Sequence, residues 1–147
     1  YYFLLIMKKL KTRKDFGERT LSIFNTLTQN MTTPHHEEAR RFFLQSATTR
    51  ATCFYIMSHF FNKKHFTASD VYTDLSPKFG SKSSIVNFIS LGFKKGYFLY
   101  ESCGIDKRKK YLFPDDEFVK IWCGFIASLD GSSIDDSIDW DKVCEKH

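Results

Sequence analysis

A helix predicted over residues 82–95 has a polar face whose side chains are suited to contact with nucleic acid. Ser83 and Ser84 are small hydroxyl residues, and such residues let a helix approach base edges closely. Asn87 follows about one turn later, and its amide can pair with both polar atoms of an adenine edge. Lys82 can reach a guanine edge or a phosphate. We expect this face to contact DNA; the alternative is an ordinary solvated helix face.

The predicted loop 102–110 has a second group of charged side chains at its end. Its four consecutive cations repel one another unless a polyanion screens them. Asp106 stands two residues before Arg108, so its carboxylate can orient that guanidinium. Because arginine is often inserted into a narrow minor groove, we expect this loop to contact DNA. A solubilising turn is the alternative. The four cations are Lys107, Arg108, Lys109 and Lys110.

Charge is distributed unevenly along the chain, which has 147 residues and a formal net charge of +5. Residues 130–147 hold six acidic and two basic residues, so this segment carries −4 and residues 1–129 carry +9. Residues 63–110 alone hold ten basic and four acidic residues. A positive surface of this kind favours a polyanionic partner, most often nucleic acid.

The remaining composition indicates one folded domain. With 42% hydrophobic and 17% aromatic residues, the chain can bury a core without disulfides or a metal. The four cysteines form no C-x-x-C pair and have no zinc-site spacing, which is typical of a protein in a reducing cytosol. The apolar run 1–7 is too short for a membrane span and precedes its lysines, so we expect neither a signal peptide nor a membrane segment.

Periodicity and capping signals predict helices in the first half of the chain. Apolar residues at helical spacing predict a helix over residues 15–31. Thr33, followed by a proline, is the predicted N-cap of one long helix over 34–61. Thr67 opens a capping-box pattern and predicts a short helix over 69–75.

The second half of the chain adds a hairpin and a last helix. The helix over 82–95 is predicted to end at Gly96, a typical residue just after a helix C-terminus. Residues 97–100 and 111–113 read as two strands on either side of the basic loop. Asp115 is the predicted N-cap of a long apolar helix, and a short turn is expected in the acidic C-terminal segment.

Helices followed by a hairpin with a basic tip predict a winged helix-turn-helix. The expected fold class is therefore mainly α with a small β-hairpin (α+β), with flanking N- and C-terminal helices. In this architecture the helix after the turn enters the major groove and the hairpin reaches the flanking backbone or minor groove. We expect residues 1–33 to form an N-terminal extension and a dimerisation helix, 34–129 the winged helix-turn-helix with its C-terminal helix, and 130–147 an acidic tail.

The end of the helix near residue 85 and the basic loop each carry a short motif. The helix near residue 85 ends in the Lys-Gly-aromatic step Lys95-Gly96-Tyr97. The loop carries Asp-x-Arg at Asp106 and Arg108, followed by the predicted strand 111–113 and a capped helix. Over residues 67–117 the chain resembles the MarR family of bacterial transcription regulators, and the loop motif is the more specific part of the likeness.

The resemblance implies a homodimer held by its N- and C-terminal helices and bound to a roughly palindromic site in double-stranded DNA. It places Arg108 at the tip of the hairpin with Asp106 steadying it. The expected function is a sequence-specific transcription regulator of a bacterium or its phage, located in the cytoplasm at the nucleoid. No ligand-site signature is visible, so an effector is left open. The remaining expected DNA-binding residues are Lys82, Ser83, Ser84, Asn87, Lys94, Lys107, Lys109 and Lys110.

Two other functions would use the same fold. The first is a replication, partition or phage DNA-binding protein, and the second is a winged helix whose basic loop meets an acidic protein. Enzyme activity is not expected, because the sequence has no glycine-rich phosphate loop, nucleophile elbow or paired carboxylates.

Neither a cofactor nor a metal is expected. His35 and His36 are adjacent on a helix, so their side chains point about 100° apart and do not converge on one ion. Cys53 and Cys123 fall in or beside apolar stripes and are interpreted as core residues, whereas Cys103 lies near the basic loop.

Overall fold

The computed structural model describes residues 10–146, except for residues 31–32, 103–105, 107, 133 and 135. This part of the chain is mainly helical and contains a two-stranded antiparallel sheet, as the sequence predicted. The elements, in chain order, are α1 (Arg13–Asn30), α2 (Pro34–Leu44), α3 (Ala47–Phe61), α4 (Ala68–Leu75), α5 (Lys82–Lys94), β1 (Phe98–Ser102), β2 (Lys110–Pro114), α6 (Asp116–Leu129) and α7 (Trp140–Val143).

Helix α1 packs along α6, so the two ends of the fold are joined. Thr26 is buried between them, and its hydroxyl donates to the carbonyl of Ser128 at 3.0 Å. The Arg19 guanidinium donates to the carbonyl of Leu129 at the end of α6. These polar contacts join α1 to carbonyl groups in the last turn of α6, where helix carbonyls have no intrahelical partner; the Ser128 carbonyl also accepts from the amide of Gly131 at 3.0 Å.

The prediction of a single helix over residues 34–61 is wrong, because the chain forms two helices there, α2 and α3, with a break at residues 45–46. Ser46 is extended (φ −152°, ψ 170°) and caps α3. Its hydroxyl accepts from the amide of Thr49 at 3.1 Å, while the Thr49 hydroxyl accepts from the amide of Ser46 at 2.9 Å. This reciprocal capping box offers the backbone an alternative to a continuous helix, and apolar periodicity does not detect it.

The core is built largely from aromatic rings. Phe43 of α2 is fully buried, and its ring centroid lies 5.0 Å from that of Trp122 and 5.1 Å from that of Phe125. Phe118 completes this group at 5.9 Å from Phe43. Their tilted and edge-to-face arrangements are the favoured ones for ring pairs. The high aromatic content of the chain is thus used to fix α2 against α6.

The predicted boundaries of α4 and α5 are confirmed to within one residue. Thr67 accepts from the amide of Asp70 at 3.1 Å, and Asp70 accepts in return from the amide of Thr67 at 2.8 Å. Ser81 caps α5. Gly96, with a φ of +79°, follows α5 in the left-handed conformation that glycine adopts without strain. Local capping chemistry therefore fixes both helices.

The hairpin pairs Phe98 with Pro114 and Ser102 with Lys110 at its two ends. The segment before α4 is hydrogen-bonded to the outer edge of β2, because the carbonyl of Phe66 accepts from the amide of Leu112 at 2.9 Å. The hairpin is therefore joined both to α5, through the chain, and to the start of α4, through this bond.

The described part of the C-terminal segment lies against α6 and the hairpin. The predicted short turn is α7, and Trp140 in it lies 5.8 Å from the ammonium of Lys120. The Cys144 thiol donates to the carbonyl of Asp116 at 3.8 Å. Lys146 forms an ion pair with Glu101 of β1 at 2.8 Å. Within the described residues, no helix combines the length and the apolar character needed to cross a membrane.

Candidate nucleic-acid interface

Helix α5 presents one face to the core and the opposite face to solvent. Phe88 on the inner face stacks on Phe42 of α2 with ring centroids 4.3 Å apart. Ser83, Asn87 and Lys94 are all exposed. At about 100° per residue, these three side chains fall within an arc of about 40° around the helix axis. The structure thus brings an alcohol, an amide and an ammonium onto one exposed line along α5.

The first turn of α5 carries a network of three serine hydroxyls. The Ser81 hydroxyl accepts from the amide of Ser84 at 3.1 Å and donates to the Ser84 hydroxyl at 2.8 Å. The Ser83 hydroxyl lies 3.3 Å from the same Ser81 oxygen. All three residues are exposed. This network orders hydroxyl groups at a helix N-terminus, which is a favourable position for a phosphate.

Lys82 is exposed, but it does not lie on the line of Ser83 and Asn87. Its ammonium lies 4.7 Å from the centroid of the Tyr72 ring on α4, a distance typical of a cation–π contact. Because it is about 100° around the helix from Ser83, this lysine faces the α4 side of the interface. Its position suits a phosphate contact beside α4 better than contact with the same base edges as Asn87.

Asp106 organises the tip of the hairpin. Its carboxylate accepts from the amide of Arg108 at 3.1 Å and lies 3.7 Å from the Nε atom of that residue. Its carbonyl accepts from the amide of Lys109 at 3.1 Å. The Arg108 side chain is nevertheless 96% exposed. Asp106 therefore shapes the turn while the guanidinium extends into solvent; the neighbouring Lys107 lies outside the described residues.

The other described cations of the hairpin are also exposed. The Lys109 ammonium lies 5.9 Å from the ring centroid of Tyr111, and Lys110 stands opposite Ser102 at the open end of the ladder. Within the described ranges, neither of these lysines, nor Lys94, forms an ion pair with a carboxylate. The hairpin therefore keeps a concentration of positive charge that favours an anionic partner.

The hairpin is anchored to the C-terminal end of α5. The ring of Phe93 stacks on that of Tyr100 with centroids 3.8 Å apart, and it meets the ring of Phe98 at 6.2 Å. These contacts connect the last turn of α5, which carries Lys94, to the first strand of the hairpin. The helix and the hairpin are thus parts of one packed unit rather than two independent elements.

Two residues that the sequence analysis did not select belong to this region. Leu91 is exposed on the solvent face of α5, one turn after Asn87, and apolar side chains at such positions contact thymine methyl groups. Its spacing from Asn87 could have identified it. Tyr72 supports Lys82 from another helix, and no local signal in the sequence predicts that contact.

Cys53 and Cys123 differ in how far they are buried. Cys53 is fully buried, and burial raises the pKa of its thiol well above the ordinary value. Cys123 is half-buried, and burial raises the pKa of its thiol to about 11, with a smaller contribution from Cys144. Cys103 lies outside the described residues. In the described part of the chain, no three His, Cys, Asp or Glu side chains are grouped so that they could hold a metal ion.

The exposed groups of α5 and of the hairpin are hydroxyls, an amide, ammoniums and a guanidinium. Such groups hydrogen-bond to phosphate oxygens and to base edges. Comparison of the chain with protein-family models, with curated proteins and with solved structures finds no match. The role of this surface is therefore inferred from its geometry and its charge.

Proposed function

We propose that the protein is a winged helix-turn-helix protein of the MarR type, which binds double-stranded DNA as a homodimer and regulates transcription. The observation that carries this proposal is the exposed line of Ser83, Asn87 and Lys94 on α5, together with a cationic hairpin packed against the end of the same helix. A helix with such a face fits the major groove, which is wide enough to admit one helix.

The arrangement of elements supports the winged-helix part of the proposal. Helices α4 and α5 pack together across the turn 76–80, which is fixed to α3 where the Thr48 hydroxyl donates to the carbonyl of Phe79 at 2.7 Å. The bond between Phe66 and Leu112 fixes the start of α4 to the hairpin. In this scheme α5 is the recognition helix and the hairpin is the wing.

Each group then has a distinct role on DNA. Asn87 and Ser83 read base edges in the major groove, and Lys94 contacts the backbone at the other end of the helix. Lys82, held beside Tyr72, contacts a phosphate on the α4 side. Arg108 extends from the hairpin tip into the flanking minor groove, where guanidinium groups are favoured.

The homodimer is supported by α1. Its Phe16, Leu21 and Phe24 side chains are each more than half exposed, although the opposite side of the helix packs on α6. A second copy would remove this apolar surface from water. Two recognition helices related by a two-fold axis would then enter successive major grooves about 34 Å apart and select a palindromic site.

A salt titration of duplex affinity tests the proposal. Fluorescence anisotropy with a labelled random duplex should show log affinity falling linearly with log salt, with a slope of about −0.9 for each phosphate neutralised. Selection from a random duplex pool should then return a site with two symmetric halves.

Absence of duplex affinity at low salt would overturn the proposal and favour an acidic protein partner instead. Selected sequences without symmetric halves would contradict the dimeric mode. Footprints confined to a replication origin, with none at promoters, would move the function from transcription to replication.

A further inference from the structure

Arg40 of α2 is an unusual residue for a protein core. Among the described residues it is the only buried one that carries a charge, and only 5% of its surface is exposed. Its Nη1 atom donates to the carbonyl of Leu27 at 3.2 Å, but its buried Nε atom has no hydrogen-bond partner. Burial also lowers the pKa of this guanidinium from its ordinary value. A buried cation in this state is costly unless an anion pairs with it.

The acidic side chains nearest in sequence are used elsewhere. Glu37 forms an ion pair with Arg41, and Glu38 forms one with Lys95 at 3.2 Å. Within the ranges that the structure describes, no carboxylate forms an ion pair with Arg40. In the part of the chain that the structure describes, the charge of Arg40 therefore has no compensating carboxylate.

Arg40 lines an open groove of about 610 Å³ between α1 and α2. The apolar walls of this groove are Leu27 of α1 and Leu44 of α2, and no aromatic ring lines it among the described residues. Polar side chains complete the lining at Glu37, Arg41 and Gln45. The groove thus combines aliphatic side chains with a guanidinium that has no carboxylate partner among the described residues, which is the complement of an amphipathic anion.

We propose that this groove binds an aliphatic carboxylate of the size of a medium-chain fatty acid. The carboxylate pairs with the Arg40 guanidinium, whose planar geometry matches the two oxygens of a carboxylate. The hydrocarbon chain lies along Leu27 and Leu44, where it is removed from water. A flexible chain follows such aliphatic walls better than a rigid aromatic ring does, since no ring in the described lining would stack on it.

Octanoate is a suitable probe, and octanamide is its uncharged match. Calorimetry and methyl NMR of the full chain should show octanoate binding with shifts of the Leu27 and Leu44 methyl signals, and octanamide and benzoate should each bind at least roughly tenfold more weakly. Arg40→Met should lose at least roughly tenfold in octanoate affinity. Arg13→Met, which replaces an exposed arginine of α1, should not change it.

Equal affinity for octanoate and octanamide, or unchanged octanoate affinity in Arg40→Met, would overturn the proposal. Equal or tighter binding of benzoate would overturn its aliphatic part. If Arg40→Met does not fold, the comparison of octanoate with octanamide on the unmodified chain decides by itself. The experiment contains no DNA, so its result is independent of the proposed transcriptional function.

Discussion

Phe98 of β1 lies directly against the backbone of Gly92 in α5. A Cβ atom built on Gly92 would overlap two carbons of the Phe98 ring, so only glycine fits at this position without a shift of the strand. The contact holds the hairpin close to the last turn of α5. The spacing between the recognition helix and the basic hairpin of the proposed interface therefore depends on the absence of one side chain.

Gly92→Ala should lower the free energy of unfolding by about 1–3 kcal/mol, because the added methyl group overpacks the contact with Phe98. Urea denaturation followed by circular dichroism measures this change. Gly17→Ala is the matched control, since Gly17 is also helical and a Cβ there meets no atom within 4 Å. The control should raise the stability by about 0.5–1 kcal/mol. Equal effects of the two substitutions would show that Phe98 does not press on Gly92.

Arg108→Ala should weaken binding to most duplex sequences and reduce the steepness of the salt dependence by about 0.9 in the log–log plot, because one phosphate or minor-groove contact is lost. Anisotropy titrations at several salt concentrations measure both quantities. Arg13→Ala removes an equally charged, exposed side chain from α1 and should leave both nearly unchanged. Identical salt slopes for Arg108→Ala and the unmodified chain would refute the assignment of the hairpin tip.

Asn87→Ala should cost about 1–3 kcal/mol at one base position and relax the preference there, because the amide pairs with a single base edge. Parallel selections from random duplex DNA with the variant and the unmodified chain reveal the position. Asn25→Ala, an exposed change on α1, is the control. If Asn87→Ala and the unmodified chain select identical sites, this residue does not read bases.

Cys123 should react slowly with thiol reagents at pH 8, because its pKa of about 11 leaves only about one thiol in a thousand ionised. The thiolate fraction rises as the pH increases, so the labelling rate should climb tenfold per pH unit up to about pH 11. Variants that retain a single cysteine, labelled with iodoacetamide and followed by mass spectrometry, give the rate. The same variant in urea is the control and should label at the rate of a free thiol. Fast labelling of the folded chain at pH 8 would contradict the half-buried position of Cys123.

Much of the local structure could be predicted from short-range signals. The capping pair at Thr67 and the glycine at position 96 mark helix ends through signals within three or four residues, and the structure has those ends. The same reasoning failed at Ser46, where apolar residues continue at helical spacing through the break. There a serine and a threonine compete with the helix for the backbone, and periodicity carries no information on that competition.

The amino-acid sequence by itself determined which groups are available for contact: the small polar face around Asn87 and the cations that follow Asp106. These are consequences of residue type and of helical spacing, which act over a few residues. Only the tertiary structure decided that the Lys82 ammonium lies over the Tyr72 ring and that Phe98 occupies the space left by Gly92. It also decided that Arg40 is buried with no ion-pair partner among the described residues. Each of these depends on which distant elements meet, and that is settled by the packing of the whole core.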